Sequence, residues 1–188
     1  MRVFIDALKI VALCLLGSIA YGILHDSITI HVCPEYFTVY HPNIFHTKNV
    51  WLLALGWGIV ATWYMGLFLG MPIAAIATVG RAPRLTSRMM VKPVCILLLA
   101  CGALAALMGF WAYNSPSFFI SPLAMILIPG YVLPPQFLWS DRPYMADYIA
   151  HNVSYDSSTL GAFLLCGWIV WERMRLRKVE GSNHQVTD

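Results

Sequence analysis

Four long stretches of this chain carry almost no charge, and this feature limits its fold more than any other. They cover approximately residues 4–24, 50–78, 94–113 and 145–171. A helix needs about 20 mainly apolar residues to cross a bilayer. Only 11% of the chain is charged, whereas a soluble domain has about 25% charged residues. We therefore predict an all-α membrane protein, a four-transmembrane-helix bundle in the lipid bilayer, with one transmembrane domain over residues 1–178.

The first apolar run, Ile10 to Leu24, is shorter than the others and permits two interpretations. It has a basic start and a small-x-small sequence at residues 18–20, as a cleaved signal peptide would have. Residues 21–24, however, continue the apolar run as far as His25. We therefore expect this stretch to be kept as the first transmembrane helix.

The basic residues predict how the chain crosses the membrane. With four spans, ten of the twelve lysines and arginines fall on one face, and only Lys48 and Arg142 fall on the other. The positive-inside rule then places both termini in the cytoplasm and the loops 25–48 and 114–157 outside. We expect residues 179–188 to be a disordered cytoplasmic tail. Because the basic residues act as topology determinants, we expect no nucleic-acid partner.

The two outer connections are predicted to have structure of their own. Residues 28–32 alternate between apolar and polar side chains, which favours a short strand. Residues 36–40 are also rich in strand-forming side chains, so we expect a β-like outer loop with a turn at residues 33–35. The connection 115–143 is apolar but repeatedly broken by proline. We therefore expect an interfacial or re-entrant segment, which protein must shield wherever it reaches membrane depth.

Histidines and carboxylates are concentrated on the predicted outer face. The stretch from His25 to His46 holds four of the six histidines. Asp147 and His151 are four residues apart at the start of the last span and share one helix face. Imidazole and carboxylate together suit a divalent transition metal such as zinc or iron. The candidate metal ligands are His25, Asp26, Glu35, His41 and His151.

The sequence leaves the use of this site open. It contains no HExxH, paired ExxH or HxH motif. A hydrogen-bonded structural cap is therefore an alternative to a metal or enzymatic site. In an enzyme, Glu35 and His151 are the candidate catalytic groups. The alternative function is a non-enzymatic subunit whose outer loops dock another membrane protein, or a homo-oligomer. The Gly66-x3-Gly70 step is compatible with close helix packing in either case.

Two signatures in these outer regions resemble a group of small uncharacterised bacterial integral membrane proteins. They are His25-Asp26-x-Ile28-Thr29 with Val32-Cys33-x-Glu35-Tyr36-Phe37-Thr38 and His41-Pro42, and Ala150-His151-x-x-Ser154-Tyr155. The resemblance covers the first two spans and the last one. It implies a four-span protein of the bacterial plasma (inner) membrane with both signatures on one face. It implies no substrate and no activity, and the segment from residue 115 to 139 departs from the pattern.

Overall fold

The computed structural model describes residues 2–119 and 138–185, and every regular element within these ranges is helical. The helices are α1 (Arg2–Thr29), α2 (Pro34–Thr38), α3 (Val50–Val60), α4 (Trp63–Thr78), α5 (Ser87–Asn114), α6 (Pro116–Phe119) and α7 (Arg142–Gln185). Long helices joined by short connections are what the uncharged runs predict, because a helix satisfies its own backbone groups away from water.

Within the described residues, four helical stretches are long and apolar enough to cross a membrane: Val3–Thr29, Val50–Thr78, Ser87–Asn114 and Arg142–Glu180. Each presents large apolar side chains on the outside of the bundle, including Leu16, Phe68, Phe110 and Phe163. Such continuous apolar surface is suited to lipid contact. The prediction of an all-helical protein with four helices able to span a membrane is therefore confirmed, and α3 and α4 together make the second span.

Glycines allow α1 to pack closely against α3 and α4. A Cβ atom added at Gly58 would lie 2.6 Å from the Cα atom of Ile23, and one added at Gly66 would lie 2.8 Å from the carbonyl oxygen of Cys14. A Cβ atom added at Gly70 would meet the Cys14 side chain at 2.8 Å. The Gly66-x3-Gly70 step therefore lies against α1, where it brings two backbones together.

The bundle has two chemically different ends. The site end, where α1 ends and α7 begins, has a buried cluster that includes Phe37, Leu53 and Tyr144. The basic end, where α4 ends and α5 begins, has a second buried cluster that includes Leu85 and Met90. The two clusters pack the four spans together at both ends, and the predicted site residues lie at the first.

At the basic end, Arg173 of α7 ties the connection after α4 to the bundle. Its guanidinium donates Nε–H to the carbonyl oxygen of Pro83 at 2.9 Å and Nη2–H to that of Ala82 at 2.9 Å. Nη1–H is donated to the carbonyl oxygen of Ile76. Arg173 is only 7% exposed, so these bonds satisfy both the buried cation and carbonyl groups at the end of α4.

One detail of the predicted fold is corrected. The β-like loop is wrong for the described residues, since Ile28 and Thr29 are the last residues of α1 and residues 34–38 form α2. The chain contains no helix breaker between Leu24 and Val32, so an established helix extends at little cost. At the other end of the chain, α7 continues to Gln185, into the predicted tail. The proline-rich segment lies mostly outside the described residues; only its edges, α6 and the start of α7, are seen.

Candidate functional site

The site is built from the last turns of α1 and the first turns of α7. His151 Nε2 lies 3.3 Å from Asp26 Oδ1. Asp26 is 4% exposed and His151 is 8% exposed. The sequence predicts that Asp26 and His151 lie on one face as candidate metal ligands, and the structure brings these two side chains together. Since the two residues are 125 positions apart, only the packing of α1 against α7 brings them together.

Asp147, one turn before His151 on α7, holds the other side of the imidazole. His151 Nδ1 lies 2.9 Å from the main-chain oxygen of Asp147 and 2.8 Å from its carboxylate Oδ1. Both atoms are acceptors, so Nδ1 carries a proton and Nε2 is directed to Asp26. One N–H is therefore shared between the main-chain oxygen and the Oδ1 atom of Asp147.

His25 completes the group. Its ring meets the ring of His151 edge to face, with centroids 4.6 Å apart, and the ring of Tyr21 stacks on its other side at 5.7 Å. His25 Nε2 is buried and has no hydrogen-bond partner in the described part of the chain. One ligand atom from each of His25, Asp26 and His151 lies within 4.8 Å of the others. Two imidazoles and one carboxylate are a donor set that suits zinc and iron.

Aromatic side chains of α2 cover the site on its outer side. The rings of Tyr36 and Phe37 lie 4.8 and 5.8 Å from the ring of His151. Proline at the first position of α2 favours this short helix, because its ring sets a helical φ and its missing N–H needs no partner there. Burial raises the pKa of the Tyr36 phenol, so the hydroxyl stays protonated. The cover therefore limits the access of water without adding charge.

His41 and Glu35 do not join the group. The Nδ1–H of His41 is donated to the carbonyl oxygen of Tyr36 at 2.7 Å, and the ring of Tyr36 contacts the rings of both His41 and His151. Burial lowers the pKa of His41, and its hydrogen bond to Tyr36 opposes this effect. Glu35 is exposed, and its carboxylate lies 4.0 Å from the Sγ atom of Cys33. Of the five candidate ligands, the structure brings together His25, Asp26 and His151.

Below these residues lies a small cavity of about 40 Å³ with a hydroxyl-rich lining, to which the sequence interpretation gave no role. Tyr21 and Ser154 form a hydrogen bond of 2.7 Å across it. The cavity is also lined by Ser18, Thr62, Tyr155 and Ser158. Spacing is the sequence signal that could have identified this polar lining. Residues 18, 21 and 25 recur at helical intervals, and so do residues 147, 151, 154 and 158. Such spacing defines one polar face on each helix.

Compared with protein-family models, curated proteins and solved structures, the chain matches none of them.

Proposed function

We propose that this chain is a multi-pass membrane protein that binds a divalent transition metal, zinc or iron, through His25, Asp26 and His151. The observation that carries the proposal is the convergence of these three side chains within 4.8 Å at the site end of the bundle. Ionisable residues inside membrane-spanning helices are rare and usually functional. Here three of them come together from two helices.

The surroundings of His151 support a metal ligand. A metal-bound histidine usually donates its second ring N–H to a carboxylate or a carbonyl group, which fixes the ring and increases its basicity. His151 has this arrangement, with Nδ1 directed to Asp147 and Nε2 directed to Asp26. In addition, the unpaired His25 Nε2 gains a partner when a metal binds. A simple ion pair between His151 and Asp26 leaves that nitrogen unsatisfied.

Three protein ligands also favour an open site over a closed structural one. Structural zinc sites use four protein ligands, whereas catalytic sites use three and keep a position for water or substrate. The proposed site is therefore of the type that a metal-dependent enzyme uses. In such an enzyme, His151 acts as a metal ligand, and the exposed Glu35 has no catalytic role.

Metal content decides this proposal. The protein is purified in mild detergent with a tag that contains no histidine, and its metals are measured by inductively coupled plasma mass spectrometry. We expect about one zinc or iron per chain, and a loss of most of it in His25→Ala, Asp26→Asn and His151→Ala. The matched control is His31→Ala, because His31 is exposed at the end of α1. A metal-free preparation that co-purifies with one stoichiometric partner contradicts the proposal and favours the docking-subunit alternative.

We further propose that the site end faces the outside of a bacterial plasma membrane, with both termini in the cytoplasm. The support is the position of ten of the twelve lysines and arginines toward the other face. A membrane-impermeant maleimide should label Asn43→Cys in intact cells, because Asn43 is exposed in the outer loop. Native Cys33 is a suitable internal control: it is 1% exposed, and burial raises its pKa to about 11. Labelling of Asn43→Cys only after permeabilisation contradicts this orientation.

A further inference from the structure

The face of α5 that points away from the bundle is charged at the basic end and apolar beyond it. Arg88 and Lys92 lie one turn apart on this face, and Ile96 and Leu99 follow at helical spacing. All four side chains are exposed. The buried side chains of α5, which include Met90, lie on the opposite side of the helix. We call Arg88, Lys92, Ile96 and Leu99 together the α5 stripe.

The α5 stripe has the length of one lipid molecule in a single leaflet. A helix rises 1.5 Å per residue, so the distance along α5 from Arg88 to Leu99 is roughly 16 Å. Half of the hydrocarbon core of a bilayer is about 15 Å thick. Long basic side chains keep their charge at the head groups while their stems lie on apolar surface. The two cations therefore reach the head groups when Ile96 and Leu99 lie among the acyl chains.

The two cations of the α5 stripe are not neutralised by the protein. Neither forms an ion pair in the part of the chain that the structure describes. Residues 79–92 contain four basic residues and no acidic one. At the same end of the bundle, by contrast, Arg175 is paired, because its Nη2 atom lies 2.6 Å from Glu172 Oε1. The stripe therefore keeps its positive charge for an anion from outside the chain.

The connection before α5 adds two further cations beside the stripe. Arg81 and Arg84 flank two carbonyl groups that accept hydrogen bonds from Arg173. The next residue, Leu85, is completely buried, and its N–H is donated to a carbonyl oxygen of α4 at 3.0 Å. These contacts hold the connection against the bundle, so the positive charge next to the stripe has a defined place.

We propose that the α5 stripe binds an anionic phospholipid of the leaflet at the basic end. The phosphodiester of the lipid lies between Arg88 and Lys92, and an acyl chain lies along Ile96 and Leu99. Basic clusters at the ends of membrane helices attract anionic lipids. A soluble anion would use the two charges but leave the apolar half of the stripe uncovered.

This inference goes beyond the proposed function. The metal ligands lie at the site end, whereas the α5 stripe begins at the basic end, where α5 starts. Lipid binding therefore requires no metal. It also holds for either orientation of the protein in the membrane.

Lipid binding by the purified full chain tests the inference. Native mass spectrometry in mild detergent measures the dissociation constants of the first bound dioleoyl phosphatidylglycerol and of dioleoyl phosphatidylcholine, which has the same chains and no net charge. Each basic residue near an anionic lipid surface gives about a fivefold gain in affinity, so we expect a preference of about 25-fold for phosphatidylglycerol. In the double variant Arg88→Gln/Lys92→Gln, this preference should disappear.

A charge-matched variant distinguishes the stripe from general positive charge at the basic end. The double variant Arg177→Gln/Lys178→Gln also removes two exposed cations at this end, and it should retain most of the preference. Because all four substituted side chains are exposed, both variants keep the buried packing. Residues that only determine topology need their charge but no particular helix face. Equal losses in the two double variants therefore overturn the inference.

Soluble glycerophosphoglycerol distinguishes a lipid from a free phosphate compound, since it carries the same phosphodiester without acyl chains. In large molar excess it should not displace the bound phosphatidylglycerol. Displacement overturns the assignment to a lipid, as does equal wild-type affinity for the two lipids.

Discussion

Each end of the bundle buries an ionisable side chain of α7, but the two side chains differ in their hydrogen bonding. At the basic end, the guanidinium of Arg173 donates hydrogen bonds to three carbonyl groups. At the site end, His25 Nε2 is buried without a hydrogen-bond partner in the described residues, and Asp147 Oδ1 has a contact only to the Nδ1–H of His151, which it shares with a main-chain oxygen. A satisfied buried ion holds structure together, whereas an unsatisfied one costs stability and usually persists for a function. This difference supports placing the proposed metal site at the site end.

The largest effect on stability is expected from a substitution at the basic end, where the buried cation has its hydrogen bonds. Arg173→Met removes three charge-assisted hydrogen bonds and leaves carbonyl groups unpaired, so we expect a loss of about 3 kcal/mol or more of the free energy of unfolding. The measurement is denaturation in detergent, followed by tryptophan fluorescence. Arg177→Met is the control, because Arg177 lies on the same helix and is exposed. Equal losses in the two variants would contradict the anchoring role of Arg173.

At the site end, we expect the stability effects of substitutions on α1 and α7 to be coupled. A double-mutant cycle on Asp26→Asn and His151→Gln should show a coupling energy of about 0.5–3 kcal/mol, because the side chains share one network. A parallel cycle on Glu35→Gln and His151→Gln is the control and should be additive, since Glu35 is exposed and outside the group. If only the second cycle shows coupling, the composition of the site is wrong.

A smaller effect, of opposite sign to that at Arg173, is expected at Asp147. Asp147→Asn removes a buried negative charge but keeps an oxygen that can accept the Nδ1–H of His151, which lies 2.8 Å from Asp147 Oδ1. It should therefore be neutral or stabilise the metal-depleted protein by up to about 1 kcal/mol, as substitutions at functional sites often do. Thermal unfolding of metal-depleted protein in detergent measures this change. A destabilisation as large as that of Arg173→Met would mean that both ends are structural anchors.

The smallest effect concerns His41 in the aromatic cover. Because burial lowers its pKa in the folded state, the unfolded state binds the proton more readily. The associated stability is therefore present above about pH 6.5, the ordinary pKa of histidine, and declines as the pH falls below it. His41→Phe should reduce the loss of thermal stability between about pH 6.5 and 5 by less than about 1 kcal/mol. The control is His46→Phe, because His46 is exposed; an equal change in both variants would contradict the role of burial.

The sequence by itself determined the spans and one half of the site. Uncharged runs of bilayer length predict membrane helices, because each run must satisfy its own backbone hydrogen bonds when it is buried in lipid. The pairing of Asp147 with His151 likewise follows from their spacing of four on one helix. Both properties depend on nearby residues, which a single sequence displays.

Tertiary structure alone decided which carboxylate of the first outer signature reaches His151. The sequence offers Asp26 and Glu35 equally, but the continuation of α1 through Thr29 carries Asp26 inward and leaves Glu35 exposed after the turn. The depth and rotation of α1 are set by glycine contacts such as Gly58 against Ile23. A contact between distant residues depends on such packing of whole helices, and no local pattern around Asp26 or Glu35 contains it.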